Sequence, residues 1–174
     1  MNDARETVLR SLRRTRQIRR FTDEPVAETD LQAILEVCRW TGSSMNTQQW
    51  RFIVIRDAGV RRRIAELSRY ARHVGGAPVA IAIEMLGEDA ETDAYDEARV
   101  AERILIAAGA MELGAGIGWA EAPEWPEIRE LLGVRPPAFV RTIVSIGHPT
   151  DEARRKRTGP GTGRRPLEEF VRER

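Results

Sequence analysis

The chain has 174 residues, room for one domain with one substantial core and not for a second. Hydrophobic residues make up 41% and charged residues 32%, and no run approaches the roughly 20 apolar residues of a membrane helix, which excludes a helical membrane protein. Lysine and arginine number 28 against 27 acidic residues, a net charge of +1, so the overall field cannot drive nonspecific binding to nucleic acid and any anion site must be local.

The opening stretch MNDARETVLRSLRR mixes acids with its basic residues and has no apolar segment of signal-peptide length, so a cytoplasmic protein is expected. Val8, Leu9 and Leu12 recur at helical spacing over residues 5–14, and RRTRQIRRF then leads into the breaker TDEPV. Thr29 followed by Gln32 has the form of a capping box, and Leu31, Ile34, Leu35 and Cys38 supply the apolar stripe of a second helix ending near Trp40. Cys38, the only cysteine, reads as a core residue, and with one thiol no intrachain disulfide or multi-cysteine metal site can form.

RFIVIRD alternates and is β-branched, which predicts a strand, and Asp57 is placed to cap the helix carrying Val60, Ile64 and Leu67. APVAIAIEM is an almost continuous apolar run of strand length, the signature of a strand covered on both faces. A long helix is predicted from about Asp93 to Leu113, then a short strand in AGIGWAE, a proline-started and glycine-stopped helix in PEWPEIRELLG, and a strand in AFVRTIVSIGHP. The charged, glycine-punctuated end carries only Leu167, Phe170 and Val171 as apolar residues, which suggests an arm that docks elsewhere.

Four stretches could carry chemistry. Arg13, Arg14, Arg16, Arg19 and Arg20 concentrate guanidinium forks suited to a phosphate, and the same residues also read as a solvated basic face. GSSMNTQQW, residues 42–50, packs neutral hydrogen-bonding side chains suited to a polar heterocycle edge; it also reads as a loop whose Ser43, Ser44 and Asn46 satisfy nearby backbone. In GAGIGWAEAPEW the glycines would let backbone approach a flat ligand, though a Rossmann phosphate loop fits poorly because GAGIG neither follows a strand nor opens a helix. Arg164 and Arg165 form a last basic pair. His73 and His148 are the only histidines and lack metal-ligand spacing, His148 reads as structural, and no nucleophile elbow or Walker loop is present; an enzyme built on this chain would leave the hard chemistry to a bound cofactor.

In their order and spacing, RQIRRFTDEPVAETDLQAILEVCRWTGSSMNTQQWRFIVIRD, AERILIAAGAMELGAGIGW, IVSIGHP and RRPLEEFV resemble the FMN-dependent nitroreductase family across most of the chain. The resemblance implies an α+β, three-layer fold over residues 1–174, with a central, mostly antiparallel sheet flanked by helices. It also implies a domain-swapped homodimer in which residues 154–174 form an arm on the partner subunit. The family's basic-basic-serine-spacer-basic motif falls with Arg16, Gln17 and Arg19 on its second, third and fifth positions, Thr15 standing in the first. These residues would bind FMN through its phosphate, ribityl chain and pyrimidine edge, with Arg19 near N1 and O2. Ser43, Ser44, Met45, Asn46 and Gln48 match the family's polar flavin wall, with Gly42 and Gln49 where the family has prolines. Trp119, Ala120, Glu121 and Ala122 match the stretch along the flavin ring, where a backbone amide meets N5. Arg164 matches a phosphate-binding arginine; Thr162 stands where the family often has lysine, and Arg165 could compensate.

The implied activity is ping-pong transfer from NAD(P)H through FMN to a small-molecule electron acceptor such as a nitroaromatic or quinone, with no protein group nominated as catalytic and no metal. The short chain leaves little room for covering insertions, so an open pocket is expected. Other expectations within the resemblance are a flavin-binding or sensing protein without turnover, flavin cleavage, dehalogenation, or deazaflavin-dependent reduction. A small nucleic-acid binder built on the arginine clusters is opposed by the balanced charge.

Overall fold

The computed structural model describes residues 2–155 and 163–174. Its helices are α1 (Asn2–Arg14), α2 (Glu28–Arg39), α3 (Ala58–Leu67), α4 (Ala90–Ala110), α5 (Trp125–Leu132) and α6 (Asp151–Arg155). Its strands are β1 (Trp50–Ile55), β2 (Val79–Met85), β3 (Gly114–Trp119) and β4 (Phe139–Gly147), joined into one antiparallel sheet of order β1-β2-β4-β3. The predicted order of helices and strands is the observed one. Short 3₁₀ turns at Ser44–Asn46, Arg72–Gly76, Ala122–Glu124 and Leu167–Glu169, and the brief α6, were not predicted.

Strand β2 explains the layering. Its odd residues Val79, Ile81, Ile83 and Met85 pack with Leu31, Ile34 and Cys38 of α2 and with Val100, Ile104 and Ala108 of α4. Its even residues Ala80 and Ala82 pack with Ile64 of α3 and Ile128 of α5. A strand buried on both faces needs apolar side chains at both parities, which is why its sequence does not alternate. Helices on both faces of the sheet make the fold an α+β three-layer arrangement.

Local details follow the chemistry of the chain ends of each element. Asp57 caps α3 by accepting from the Val60 N–H at 2.9 Å, and Gly133 closes α5 with φ of 69°, a left-handed position that favours glycine. The expected Thr29–Gln32 capping box does not form. Helix α2 begins two residues earlier, with Ala27 as its N-cap, so Thr29 lies inside the first turn and Gln32 donates instead to the Glu28 carboxylate. The long helix starts at Ala90, three residues before the predicted Asp93, because Asp89 caps it by accepting from the Thr92 N–H. Cys38 is fully buried, and burial pushes its thiol up to about 12, so it is a core residue and not a reactive one.

Candidate functional site

Residues 15–22 leave α1 and run along the free edge of β3. The Ile18 N–H donates to the Ala115 carbonyl at 2.7 Å, Ile117 N–H donates to Gln17 Oε1 at 3.2 Å, and Thr22 N–H donates to the His148 carbonyl at 2.8 Å. The glycines of β3 make this approach possible. A Cβ on Gly116 would lie 2.6 Å from the Ile18 carbonyl oxygen, and one on Gly114 would lie 2.7 Å from the Ile18 side chain. Gly118 faces Ala71 in the same way, with a would-be Cβ 3.0 Å from its Cα. The glycines of GAGIG therefore serve close packing of backbone on backbone, and the expectation that they admit a flat ligand is corrected: the space beside them holds the chain itself.

A cleft of about 670 Å³ opens where this edge meets the turn after α3. Gln17, Arg19, Ile117 and Trp119 form one side of it. Arg69, Tyr70, Arg72 and His73 form the other. Among the described residues no carboxylate lines it. Gln17 uses Oε1 to accept from Ile117 N–H and, at 2.6 Å, from Arg19 Nη2, and its amide donors have no partner among the described residues. Trp119 is 44% exposed and takes the Arg141 guanidinium on its ring at 4.9 Å. Arg141 is in turn ion-paired with buried Glu97 of α4, whose carboxyl is pushed up by burial against the pull of Arg141 and Thr142. This pair ties the tryptophan edge of the cleft to the core.

His73 is held at both ring nitrogens, 2.8 Å from Ser145 Oγ at Nδ1 and 3.2 Å from the Ile117 carbonyl at Nε2. Burial, helped by nearby Arg19, lowers it from its ordinary 6.5 to about 4, so at neutral pH the ring is uncharged. A neutral ring donates from Nε2 to Ile117 and accepts at Nδ1 from the Ser145 hydroxyl. That hydroxyl also lies 3.2 Å from the Gly116 carbonyl, and its single hydrogen can serve only one of the two. The positive charge of the cleft is thus carried by its arginines.

The remaining expected site residues lie elsewhere. Arg16 Nη2 donates to the carbonyls of Ala153 at 2.8 Å and Arg154 at 3.0 Å, which fixes the guanidinium at the end of α6. Ala120 is buried, its N–H donating to the Arg141 carbonyl, while Glu121 and Ala122 open the 3₁₀ turn, where Glu124 accepts from the Glu121 N–H. Arg164 and Arg165 are exposed, Arg165 resting 4.4 Å from the Phe170 ring centroid and 3.5 Å from Glu169. Thr162 lies outside the described residues.

The polar loop stands apart from the cleft. Ser43 Oγ accepts from the Gln48 N–H at 2.9 Å, Gln48 reaches back to Asn46, and Thr47 donates to the Ser44 carbonyl. Met45, Asn46 and Gln48 all have positive φ, 47°, 59° and 53°, which an L-residue adopts only at a cost. Where the family has prolines, Gly42 leaves space that the Arg99 guanidinium fills, 2.8 Å from a would-be Cβ, and Gln49 donates to Glu88 at 2.7 Å. The loop precedes β1 at one sheet edge, whereas residues 16–20 lie outside β3 at the other, with β2 and β4 between. Three strand spacings, roughly 14 Å, separate the two edges of the sheet. Among the described residues no group of His, Cys, Asp and Glu could hold a metal, and no helix is long and apolar enough to cross a membrane.

The sequence reading missed Arg69, Tyr70, Arg72 and His73. They belong to no motif, and their place in the cleft depends on Ala71 packing against Gly118 from a distant strand. The only sequence signal was the density of basic and aromatic residues in SRYARH.

Known proteins share this fold. The profile of the Nitroreductase family matches residues 12–71, which hold both the arginine segment and the polar loop. The chain is 29% identical to an NADH dehydrogenase of Thermus thermophilus, covering 90% of each chain, and 29% identical to an FMN reductase [NAD(P)H] of Bacillus subtilis, over 86% of this chain and 68% of that one. A provisionally assigned nitroreductase of Desulfovibrio desulfuricans, solved in complex with FMN, superposes with a TM-score of 0.79 at 32% identity over 96% of both chains. With that identity, that coverage and a shared α+β fold, the chain belongs to the nitroreductase family.

Proposed function

We propose that this protein is an NAD(P)H-dependent FMN oxidoreductase whose flavin lies in the cleft between residues 16–20, β3 and the turn after α3. The observation that carries the reading is the donor set: Arg19 and the amide of Gln17, whose N–H groups have no partner among the described residues, face a cleft that no described carboxylate lines, which suits a ring edge of carbonyls and ring nitrogens. When bound, FMN takes electrons from NAD(P)H and delivers them to a small acceptor such as a nitroaromatic or quinone, in two alternating half-reactions. Arg19 would set a fixed positive charge at the pyrimidine edge, and Trp119 to Ala122 would run along the ring. Arg16, with Arg164 and Arg165, would hold the phosphate.

Ser43, Ser44, Met45, Asn46 and Gln48 would complete the pocket from the other subunit of a homodimer. Three observations support this: the strained loop is exposed and far from the cleft of its own chain, α1 exposes Val8, Leu9 and Leu12, and the tail exposes Leu167, Phe170 and Val171. We take residues 1–174 as one domain and residues 154–174 as an arm for the partner. The buried thiol is in keeping with a reducing, cytoplasmic setting. Nucleic acid and membrane are not among the partners proposed.

The test is the visible spectrum of purified protein before and after denaturation. Oxidised-flavin bands released as FMN, and bleached anaerobically by NADH or NADPH, support the reading; a colourless protein that takes up no added FMN ends it.

A further inference from the structure

The cleft holds more positive charge than the proposed cofactor contacts use. Arg69 and Arg72 sit on its outer side, on the turn between α3 and β2, both exposed and without an acidic partner among the described residues. Arg69 lies 5.0 Å from the centroid of the Tyr70 ring, and Tyr70 is 47% exposed. Across the opening Trp119 shows 44% of its surface. Glu66, the acid nearest to Arg69 and Arg72 in sequence, pairs with Arg63, and Glu124 accepts from the Glu121 backbone.

Two guanidinium groups with no counter-charge, beside two exposed aromatic rings, form a surface that attracts a flat molecule carrying negative charge. The rings offer stacking faces, and the forks offer paired donors to a carboxylate. Because His73 is neutral near pH 7, these arginines and Arg19 set the field at the opening. Resting on the FMN reading above, we propose that the acceptor of this enzyme is an aromatic anion, selected by Arg69 and Arg72 at the mouth of the cleft.

The test uses FMN-loaded protein reduced anaerobically with dithionite and mixed with 4-nitrobenzoate or with neutral 4-nitrobenzyl alcohol. At low salt the second-order rate constant should favour the nitrobenzoate by about tenfold, and raising the salt should shrink the ratio, as screening of exposed charges requires. The Arg69→Gln/Arg72→Gln double variant should bring the ratio near one with flavin content unchanged. Arg62→Gln, an exposed arginine outside the cleft, should leave the ratio as it was. Calorimetric titration with benzoate reads the same arginine dependence without turnover. Equal rates in the wild-type protein, or a double variant that loses its FMN, would overturn the proposal, the latter by assigning these arginines to the cofactor. A colourless wild-type protein instead sinks the FMN reading, and the benzoate titration then decides separately whether the arginines bind an aromatic anion.

Discussion

The two halves of the candidate site are built in opposite ways. The cleft is anchored: residues 16–20 are hydrogen-bonded along β3, glycines 114, 116 and 118 let the layers close, and the Arg141–Glu97 pair fastens Trp119 to α4. The polar loop makes most of its hydrogen bonds to itself, holds Met45, Asn46 and Gln48 at positive φ, and leaves Met45 92% exposed. The first half is finished within one chain. The second has the strain and exposure of a surface that meets something else, which is where strained backbone tends to be retained.

Breaking the anchored half should cost the most. Glu97→Ala leaves the half-buried Arg141 without its partner and should destabilise the fold by about 3 kcal/mol, read by urea denaturation. A loss under 1 kcal/mol would mean that the pair does not hold the cleft. Gly116→Ala drives a Cβ into the Ile18 carbonyl, where no flexible side chain can yield, and should cost about 1–3 kcal/mol together with lost flavin retention. Unchanged stability and colour would show that residues 16–20 can lift off β3 freely.

The loop should respond with the opposite sign. Met45→Gly relieves a left-handed residue that buries nothing, and should stabilise the chain by about 1 kcal/mol or less. A loss of stability would place Met45 in a contact within its own chain. The last effect, absent at neutral pH, concerns His73 and appears only in acid. Its folded value is depressed from 6.5 to about 4, so its contribution is full above pH 6.5 and is lost as pH falls through that window. His73→Gln should flatten the decline in melting temperature between pH 6.5 and 4, and an unchanged slope would assign that decline to other groups.

The fold was legible because its signals were local: apolar periodicity in α2, the two-sided run of β2, the Asp57 cap and Gly133 each act within a few residues. Half of the site was legible for the same reason, since Gln17, Arg19 and Trp119 stand in short segments and do line the cleft. The rest depends on contacts distant in sequence. His73 owes its neutrality to burial against Ser145 and Ile117, and the Arg141–Glu97 pair joins a strand to a helix 44 positions away. The Thr29–Gln32 pattern misled because an N-cap is set by backbone geometry, which placed the first turn at Glu28.

The central claim is that each flavin site takes its arginine edge from one chain and its polar loop from the other. It is tested most directly by mixing two flavin-deficient variants, Arg19→Ala and Ser44→Leu, under conditions that exchange subunits. If the claim holds, mixed dimers contain one intact site and one doubly damaged site, and bound FMN returns toward one per mixed dimer, half of its sites. No recovery on mixing, with subunit exchange verified by mass, would contradict it and place both elements at one site within a single chain.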